Sequence, residues 1–444
     1  MLQHSLVAER NLHIPIVWIT WIVFALTYFG LAIGKVPGTR MDRAAIALVG
    51  ATLMLCLGVL TLREAVAADS IDYETLLLLF GMMVLVGFLQ LSGVFIRLAN
   101  VLLARIRTPH VLLATIILLS GLLSAFLVND VVCVAITPLI LHLVQKLKFD
   151  PLPQLIGLAT AANIGSVATI TGNPQNMIIG MQSQISYLDF ALHLAPIALL
   201  GLLVDFFLIA LIYRKRLSAK PDSGLAHNSP DNVEISAGKP VPHQKKVPNR
   251  PIHRWLQTKS VIVTCITVLL FFSGLPIALI AIGAAAVLLI DRIKPDKIYR
   301  RIDWSLLLMF AGLFVVVHAF QLHVVSGWNV AQWPWLQTPS VSLLSLASAA
   351  LSNLVSNVPA VLLFEPVMHA IAPAAQSNAW LTLVMSSTLA GNLTILGSVA
   401  NLIVVESAKR EGVMISFREY SRVGVPLTLL TLAIGIVWLQ FVHY

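Results

Sequence analysis

Charged residues are scarce in this chain of 444 residues, and their scarcity excludes an ordinary water-soluble protein. Only 11% of the residues are Asp, Glu, Lys or Arg, and 58% are hydrophobic, whereas soluble domains carry about 25% charged residues. In place of charge the sequence has long apolar runs, such as 17–33 and 76–89. With their flanks these runs reach the roughly 20 residues that cross a bilayer. About ten such runs predict an all-α polytopic membrane protein.

Cysteine is also scarce, and histidine is scattered. Cys56, Cys133 and Cys265 lie in separate apolar segments, and an odd number without metal-like spacing argues against a disulfide framework or a zinc site. A membrane enzyme would need clustered His, Cys or carboxylate groups, so we expect no enzyme, no metal and no cofactor. The N-terminus lacks a basic region followed by a small-residue cleavage site, so we expect no removable signal peptide.

Positive charge is concentrated in one segment. Between Arg214 and Lys259 there are ten Lys or Arg and three Asp or Glu. Because no aromatic residues alternate with these charges, a nucleic-acid interface is a poor interpretation. The Pro, Gly and Ser content favours a loop, and the positive-inside rule predicts that 214–257 is a cytoplasmic linker. The linker would join a first repeat, 1–213, to a second, 258–444.

With the linker placed in the cytoplasm, the remaining charges indicate which segments lie on each side of the membrane. The acidic or uncharged segments 64–74, 183–187, 326–340 and 373–378 fall outside. Trp328, Trp333 and Trp335 in one of these segments indicate an interfacial aromatic belt. The prediction is a multi-pass protein of the cell (inner) membrane with both termini outside.

A polar pattern set in apolar sequence occurs twice. Its first copy is Ser124, Asn129 and Pro138, and Ser352, Asn357 and Pro366 repeat it with identical internal spacing. A second pair of polar breaks, 172–176 and 397–401, follows in the two halves. Since unpaired backbone is costly in lipid, such breaks indicate a binding site between repeats of a secondary transporter.

The flanking charges predict how each copy enters the membrane. The stretch 110–146 has basic residues at both ends and is predicted to be a re-entrant hairpin from the cytoplasm. The stretch 340–371 has uncharged outer loops and is predicted to be a hairpin from outside. Broken helices are predicted at 152–184 and 378–410. Five full crossings per half make the two repeats inverted.

Helix ends at these breaks can bind ions or polar solutes, because free amide groups attract anionic or oxygen-rich ligands and free carbonyls attract cations. Asn173 before Pro174 reads as a helix N-cap, and Ser398, Asn357 and Asn129–Asp130 read as the other three caps. Each Asn alone could equally make an ordinary capping or interhelical hydrogen bond. The predicted substrate-binding set is Asn129, Asp130, Asn163, Thr171, Gly172, Asn173, Asn176, Ser356, Asn357, Asn392, Gly397, Ser398 and Asn401.

Ionisable side chains in the membrane are costly and usually functional. Asp130, at the first tip, is the first candidate for proton or cation coupling, with a simple cap as the alternative. Glu365 is the second candidate, unless it lies at the outer exit of its hairpin. Asp205 is expected to pair with a polar partner such as His193 or His318 for structural reasons. No Lys or Arg is expected near the tips, which suits a neutral hydroxylated solute.

The motifs resemble a known family. Asn129–Asp130 followed by Thr137–Pro138 resembles the tip of ArsB-type arsenite-efflux permeases, and 162–176, with the sequence ANIGSVATITGNPQN, resembles a motif of those permeases and the melanosomal P protein. The wider ion transporter superfamily includes NhaD-type sodium/proton antiporters and divalent anion/sodium symporters. The resemblance covers essentially the whole chain. It implies a homodimer whose transport domain moves by an elevator motion.

The tips differ from those of the divalent-anion symporters, which have Ser-Asn-Thr at both. Here the tips are 129–131, with the sequence NDV, and 356–358, with the sequence SNV. The resemblance therefore favours efflux of arsenite, antimonite or a similar small oxyanion in exchange for protons. A sodium/proton antiporter and a sodium-coupled inorganic anion transporter are the alternatives, and a cytoplasmic ATPase is a further candidate partner.

Overall fold

The computed structural model describes residues 2–34, 38–106, 108–218, 254–291, 293–328, 333 and 339–442. Within these ranges all regular structure is helical and no strand occurs. The predicted all-α class is confirmed. Most of the basic linker and Trp335 lie outside the described residues.

The first half of the chain, as described, contains eleven α-helices. They are α1 Leu2–Ile33, α2 Arg43–Cys56, α3 Leu62–Ala65, α4 Tyr73–Ser92, α5 Val94–Arg105, α6 Pro109–Phe126, α7 Asn129–Leu147, α8 Pro151–Ser166, α9 Pro174–Ser183, α10 Tyr187–Ile212 and α11 Arg214–Leu217. A 3₁₀ turn, Ile170–Gly172, separates α8 from α9.

The second half, as described, contains nine more. They are α12 Arg254–Phe271, α13 Ile277–Leu289, α14 Asp296–Tyr299, α15 Trp304–His323, α16 Val341–Val355, α17 Asn357–Ala370, α18 Pro373–Ala390, α19 Val399–Arg410 and α20 Phe417–Phe441. A 3₁₀ turn, Ile395–Gly397, separates α18 from α19, at the position that matches the break between α8 and α9.

Eight helices in the described ranges are long and apolar enough to cross a membrane. Six of them, α1, α4, α10, α12, α15 and α20, are crossings expected from the sequence, and the other two are α6 and α7. The apolar helices α2 and α13 are shorter, at 14 and 13 residues. The polytopic character is therefore confirmed, whereas the number of ten crossings and the inverted orientation stay predictions.

The two predicted hairpins differ in arm length. In the second, α16 and α17 have 15 and 14 residues, so each is about 22 Å long and too short for a hydrocarbon core of about 30 Å. In the first, α6 and α7 have 18 and 19 residues and are about 28 Å long. The predicted crossings α2 and α13 are just as short, so helix length does not test re-entry, and the path of both pairs stays a prediction.

Close backbone contacts join the two halves. A Cβ on Gly81 of α4 would lie 2.7 Å from the backbone of Ala281 in α13, and one on Gly312 of α15 would lie 2.8 Å from the backbone of Ala47 in α2. Small residues allow such approach between membrane helices. The third predicted crossing of each half thus packs on the second predicted crossing of the other half.

Trp328 and Trp333, the two described members of the predicted aromatic belt, lie together. Their rings stack with centroids 6.5 Å apart, and Trp21 of α1 lies 5.9 Å from Trp328. Aromatic clusters of this kind are typical of the membrane–water interface.

Candidate functional site

The two helix breaks end in side-chain caps. Asn173 Oδ1 accepts a hydrogen bond from the Asn176 amide at 2.8 Å, and Pro174 is the first residue of α9. Ser398 Oγ accepts from the Ala400 amide at 3.2 Å at the start of α19. Pro at the first helical position and a polar side chain before it are standard helix starts. The predicted caps at Asn173 and Ser398 are confirmed.

The expected caps at the two tips are wrong. Asn129 is the first residue of α7, Val128 is the N-cap residue, and Asn129 Oδ1 accepts from the Asp130 amide at 2.9 Å. Asn357 is likewise the first residue of α17 and follows Ser356, whose φ is +79°. Neither N-cap residue, Val128 or Ser356, makes a side-chain capping bond.

Asn163 of α8 is a hydrogen-bonding hub. Its Oδ1 accepts from Asn129 Nδ2 at 3.0 Å and from Ser398 Oγ at 2.9 Å. Its Nδ2 donates to Asn392 Oδ1 at 2.8 Å and to Asn401 Oδ1 at 3.1 Å. All five side chains are at least nine-tenths buried. Asn163 therefore ties the first tip to the break in the second half.

Thr388 of α18 contacts the break in the first half, just as Asn163 contacts the break in the second half. Its Oγ1 accepts from Asn173 Nδ2 at 3.2 Å and Gln175 Nε2 at 3.3 Å, and lies 3.1 Å from Asn176 Oδ1, to which it donates. Thr388 follows Asn163 at the same sequence separation as Ser398 follows Asn173. Each break is thus held by a polar side chain from the opposite half.

Asn176 and Asn401 close their own breaks in the same way. Asn176 Nδ2 donates to the carbonyls of Ser166 at 2.8 Å and Thr169 at 2.9 Å. Asn401 Nδ2 donates to the carbonyls of Gly391 at 2.7 Å and Thr394 at 3.1 Å. The two sets have the same internal spacing, so each member of one has its equivalent in the other. These bonds satisfy unwound carbonyl groups that lipid would leave unpaired.

Gly172 and Gly397 occupy tight positions at these breaks. A Cβ on Gly172 would overlap the Ser166 carbonyl oxygen, and one on Gly397 would lie 2.8 Å from the Gly391 carbonyl oxygen. Glycine is needed here because the chain folds back onto the end of the preceding helix.

Not every predicted residue belongs to this cluster. Thr171 Oγ1 lies 2.8 Å from Tyr187 Oη, which stacks on Phe271 at a ring distance of 5.3 Å. Glu365 lies two turns beyond Asn357 along α17, about 12 Å away, and is in electrostatic range of Asp72. The structure therefore separates Thr171 from the other members of the predicted substrate-binding set, and it places Glu365, a predicted coupling residue, away from the tip of its own hairpin.

Asp130 and Ser356 lie at the edge of the cluster, beside charged groups of other helices. Asp130 lines a cavity of about 40 Å³ together with Gln90, Arg301 and Asp303. Arg43 Nη1 of α2 lies 3.5 Å from Ser356 Oγ. The expectation that no Lys or Arg lies near the tips is therefore wrong. It failed because these two guanidinium groups come from α2 and from the segment before α15, not from the hairpins themselves.

Asp205 does not pair with a histidine. It is fully buried in α10, and both of its carboxyl oxygens lie 2.9 Å from Thr160 Oγ1. His193 Nδ1 instead lies 2.7 Å from the Asp189 carbonyl. The expected His193 or His318 partner is replaced by a hydroxyl group of α8.

Sequence reasoning missed several polar residues of the site. Thr388 was detectable, because applying the separation between the two breaks to Asn163 points to it. Arg43, Arg301 and Thr160 had no comparable signal, since each is distant in sequence from the group it meets.

Taken together, buried polar helix breaks linked between two halves of an apolar helical protein define a membrane transporter. The comparison with known proteins agrees. The family described as citrate transporter, CitMHS, matches residues 16–390, and the chain belongs to this family. As predicted, the protein is a transporter rather than an enzyme.

Named relatives extend along nearly the whole chain. The chain is 33% identical to the silicon efflux transporter LSI3 of Oryza sativa subsp. japonica, with 94% of this chain and 96% of the relative covered. It is 26% identical to the putative transporter arsB of Dictyostelium discoideum, with 94% and 91% covered. The solved YdaH transporter of Alcanivorax borkumensis shares the fold, with a TM-score of 0.58, 14% identity, and 96% and 97% covered.

Proposed function

We propose that this protein is a secondary active transporter that expels arsenite, antimonite or a similar small hydroxylated oxyanion species in exchange for protons. The observation that carries the proposal is the Asn163 hub, which joins the first tip to the second break through uncharged amide and hydroxyl groups. An elevator-type alternating-access motion, implied by the resemblance, would carry this cluster across the membrane.

The uncharged side chains of this cluster favour a solute with several hydroxyl groups. Amide and hydroxyl side chains both donate and accept hydrogen bonds, so they match arsenous acid and silicic acid, which are neutral near neutral pH and bear only hydroxyl groups. The name of one relative, a silicon efflux transporter, supports the same class of solute.

Charges beside the tips are balanced. Arg43 and Arg301 bring two positive charges, and Asp130 and Asp303 bring two carboxylates. A divalent or trivalent anion would need an excess of positive charge to replace its hydration. The balance therefore favours a neutral or weakly charged solute over citrate, sulfate or phosphate.

Asp130 is the proposed proton carrier, and Glu365 is the second candidate. Asp130 shares its small cavity with Asp303, the N-cap residue of α15, and with Arg301. Like charges at close range repel, so protonation of Asp130 would ease its approach to Asp303, and loss of the proton would favour separation. Such a change in repulsion is a physical basis for coupling solute movement to protons.

A sodium/proton antiporter is the second candidate, and the two carboxyl groups in one cavity favour it, because carboxylate oxygens are good ligands for hard cations. A sodium-coupled inorganic anion transporter is the third. The candidates differ in what stabilises the purified protein. Arsenite, antimonite or silicic acid should raise its melting temperature without sodium, whereas phosphate, citrate and sodium alone should not; stabilisation by sodium with no response to arsenite would overturn the proposal.

Further proposals rest on the resemblance and on the charge distribution. They are a homodimer, a cytoplasmic ATPase partner, location in the cell (inner) membrane, repeats at 1–213 and 258–444, and a cytoplasmic loop at 214–257 with both termini outside.

The proton-carrier role of Asp130 is tested by Asp130→Asn. This change removes the charge and keeps the shape, so solute exchange should continue but lose its dependence on the pH gradient. The measurement is arsenite flux in vesicles at a series of imposed pH differences. The control is Asp189→Asn, in the first turn of α10 and outside the predicted site. An unchanged pH dependence in Asp130→Asn would remove this role.

A further inference from the structure

Asp205 is a buried carboxyl group that the proposed mechanism does not yet use. Its side chain is fully buried, and its hydrogen-bond partner is Thr160 Oγ1, which lies 2.9 Å from both carboxyl oxygens. Within the described part of the chain, Asp205 forms no ion pair. A buried charge is normally paired or solvated by several donors, so a single hydroxyl is poor support for an ionised carboxylate.

The bonds of Thr160 indicate where a proton would be. Thr160 Oγ1 also lies 2.9 Å from the Ile156 carbonyl oxygen, and a hydroxyl group has one hydrogen to donate. If Asp205 is protonated, it donates to Thr160 Oγ1, and Thr160 donates to Ile156. Every polar hydrogen in this row then has an acceptor. If Asp205 is ionised, Thr160 supplies only one bond for two carboxylate oxygens.

Few other ionisable groups are near Asp205. The helices α8 and α18 contain none, and α6 contains only His110 in its first turn. On α20, Tyr420 is buried, lies in electrostatic range of Asp205, and its hydroxyl has no hydrogen-bond partner among the described residues. The remaining titratable or charged residues of the adjoining helices are Asp130, Cys133, His142 and Lys146 on α7, Tyr187, Asp189 and His193 on α10, Arg214, Lys215 and Arg216 on α11, and Arg418, Glu419 and Arg422 on α20.

A short row of hydrogen bonds joins Asp205 to the site. The Thr160 carbonyl accepts from Asn392 Nδ2 at 3.1 Å, and Asn392 Oδ1 accepts from Asn163 Nδ2 at 2.8 Å. Thr160 thus contacts Asp205 with its side chain and the second break with its backbone. A change at Asp205 that moves Thr160 would shift the acceptor on which Asn392 depends.

We propose that Asp205 is a second proton-binding site, occupied in this conformation and coupled to the solute site through Thr160 and Asn392. Its role in transport rests on the proposed proton exchange, but its occupancy by a proton does not. The two parts are therefore tested by different measurements.

Infrared spectroscopy of the purified protein in water and in D₂O tests the occupancy. A protonated carboxyl group has a separate C=O band that shifts on deuteration. We expect this band in the wild type and in Asp130→Asn, its loss in Asp205→Asn, and a frequency shift in Thr160→Val, which keeps the shape and removes the hydroxyl. If Asp205→Asn does not fold, the frequency shift in Thr160→Val still tests whether Asp205 is protonated. Identical protonated-carboxyl bands in the wild type and the folded variants would overturn the proposal.

Proton and solute fluxes measured together in vesicles test the coupling. Asp205→Asn should move fewer protons per solute molecule while still binding arsenite, and an unchanged ratio would overturn the coupling. If the wild type binds and moves no arsenite, the proposed function fails, but the infrared result on Asp205 stands by itself.

Discussion

Removing the side chain of Asn163 should destabilise the protein more than any other loss of one polar side chain in the two breaks. Asn163→Ala removes two acceptor and two donor contacts at distances of 2.8 to 3.1 Å. Asn129 Nδ2, Asn392 Oδ1 and Asn401 Oδ1 have no other described hydrogen-bond partner. The site is buried, so the substitution strands polar groups of both halves.

The size of the effect follows from the four lost bonds. Interhelical hydrogen bonds in membrane proteins contribute about 0.6 kcal/mol on average, so four of them give about 2.4 kcal/mol. That loss corresponds to about a 50-fold change in the unfolding equilibrium constant. Buried groups left without partners cost about 1–3 kcal/mol each in soluble proteins, so about 2.4 kcal/mol is a lower value.

Reversible unfolding in mixed detergent micelles measures this loss. The matched control is Asn378→Ala, because Asn378 of α18 makes one described hydrogen bond, from Nδ2 to the Leu439 carbonyl at 3.4 Å. The control should lose less than about 1 kcal/mol. If Asn163→Ala costs no more than Asn378→Ala, the hub does not hold the two halves together and the reasoning fails.

Two further substitutions test the packing and the charge at the site. Gly172→Ala should lower the free energy of unfolding by about 1–3 kcal/mol or prevent folding, because its Cβ would overlap the Ser166 carbonyl. The control Gly283→Ala, with open space around its Cβ, should leave thermal unfolding unchanged. Equal effects of the two substitutions would contradict the close packing at Gly172. Arg43→Gln should leave the melting temperature nearly unchanged but weaken arsenite binding several-fold in a titration, because Arg43 Nη1 lies 3.5 Å from Ser356 Oγ. An unaltered affinity would place Arg43 outside the solute path.

Much of the fold could be predicted from sequence because lipid restricts the choice. Apolar runs of sufficient length must become helices in a bilayer, and Asn173 followed by Pro174 is a strong helix start. Those local rules identified both breaks and their caps.

The tips show where such rules fail. Asn129 and Asn357 resemble caps, but each helix starts at the Asn itself, after Val128 in one tip and after Ser356 with its positive φ in the other. Backbone angles at one residue decide this, and the polar pattern does not report them.

Contacts between the two halves also could not be predicted from the sequence. The constant separation between the two breaks identifies equivalent positions, such as Asn163 and Thr388, but equivalence does not say which groups touch. The approach of Arg43 to Ser356, and of Thr160 to Asp205, depends on helix packing over long sequence separations.

The most direct test of the central claim is arsenite flux in vesicles that contain only this protein. With a pH difference imposed across the membrane and sodium absent, the proposal predicts that arsenite accumulates on the side from which protons leave. It also predicts that excess unlabelled arsenite on the far side drives counterflow and that a protonophore abolishes accumulation. Flux that requires sodium, or that ignores the pH difference and shows no counterflow, would contradict a proton-coupled carrier.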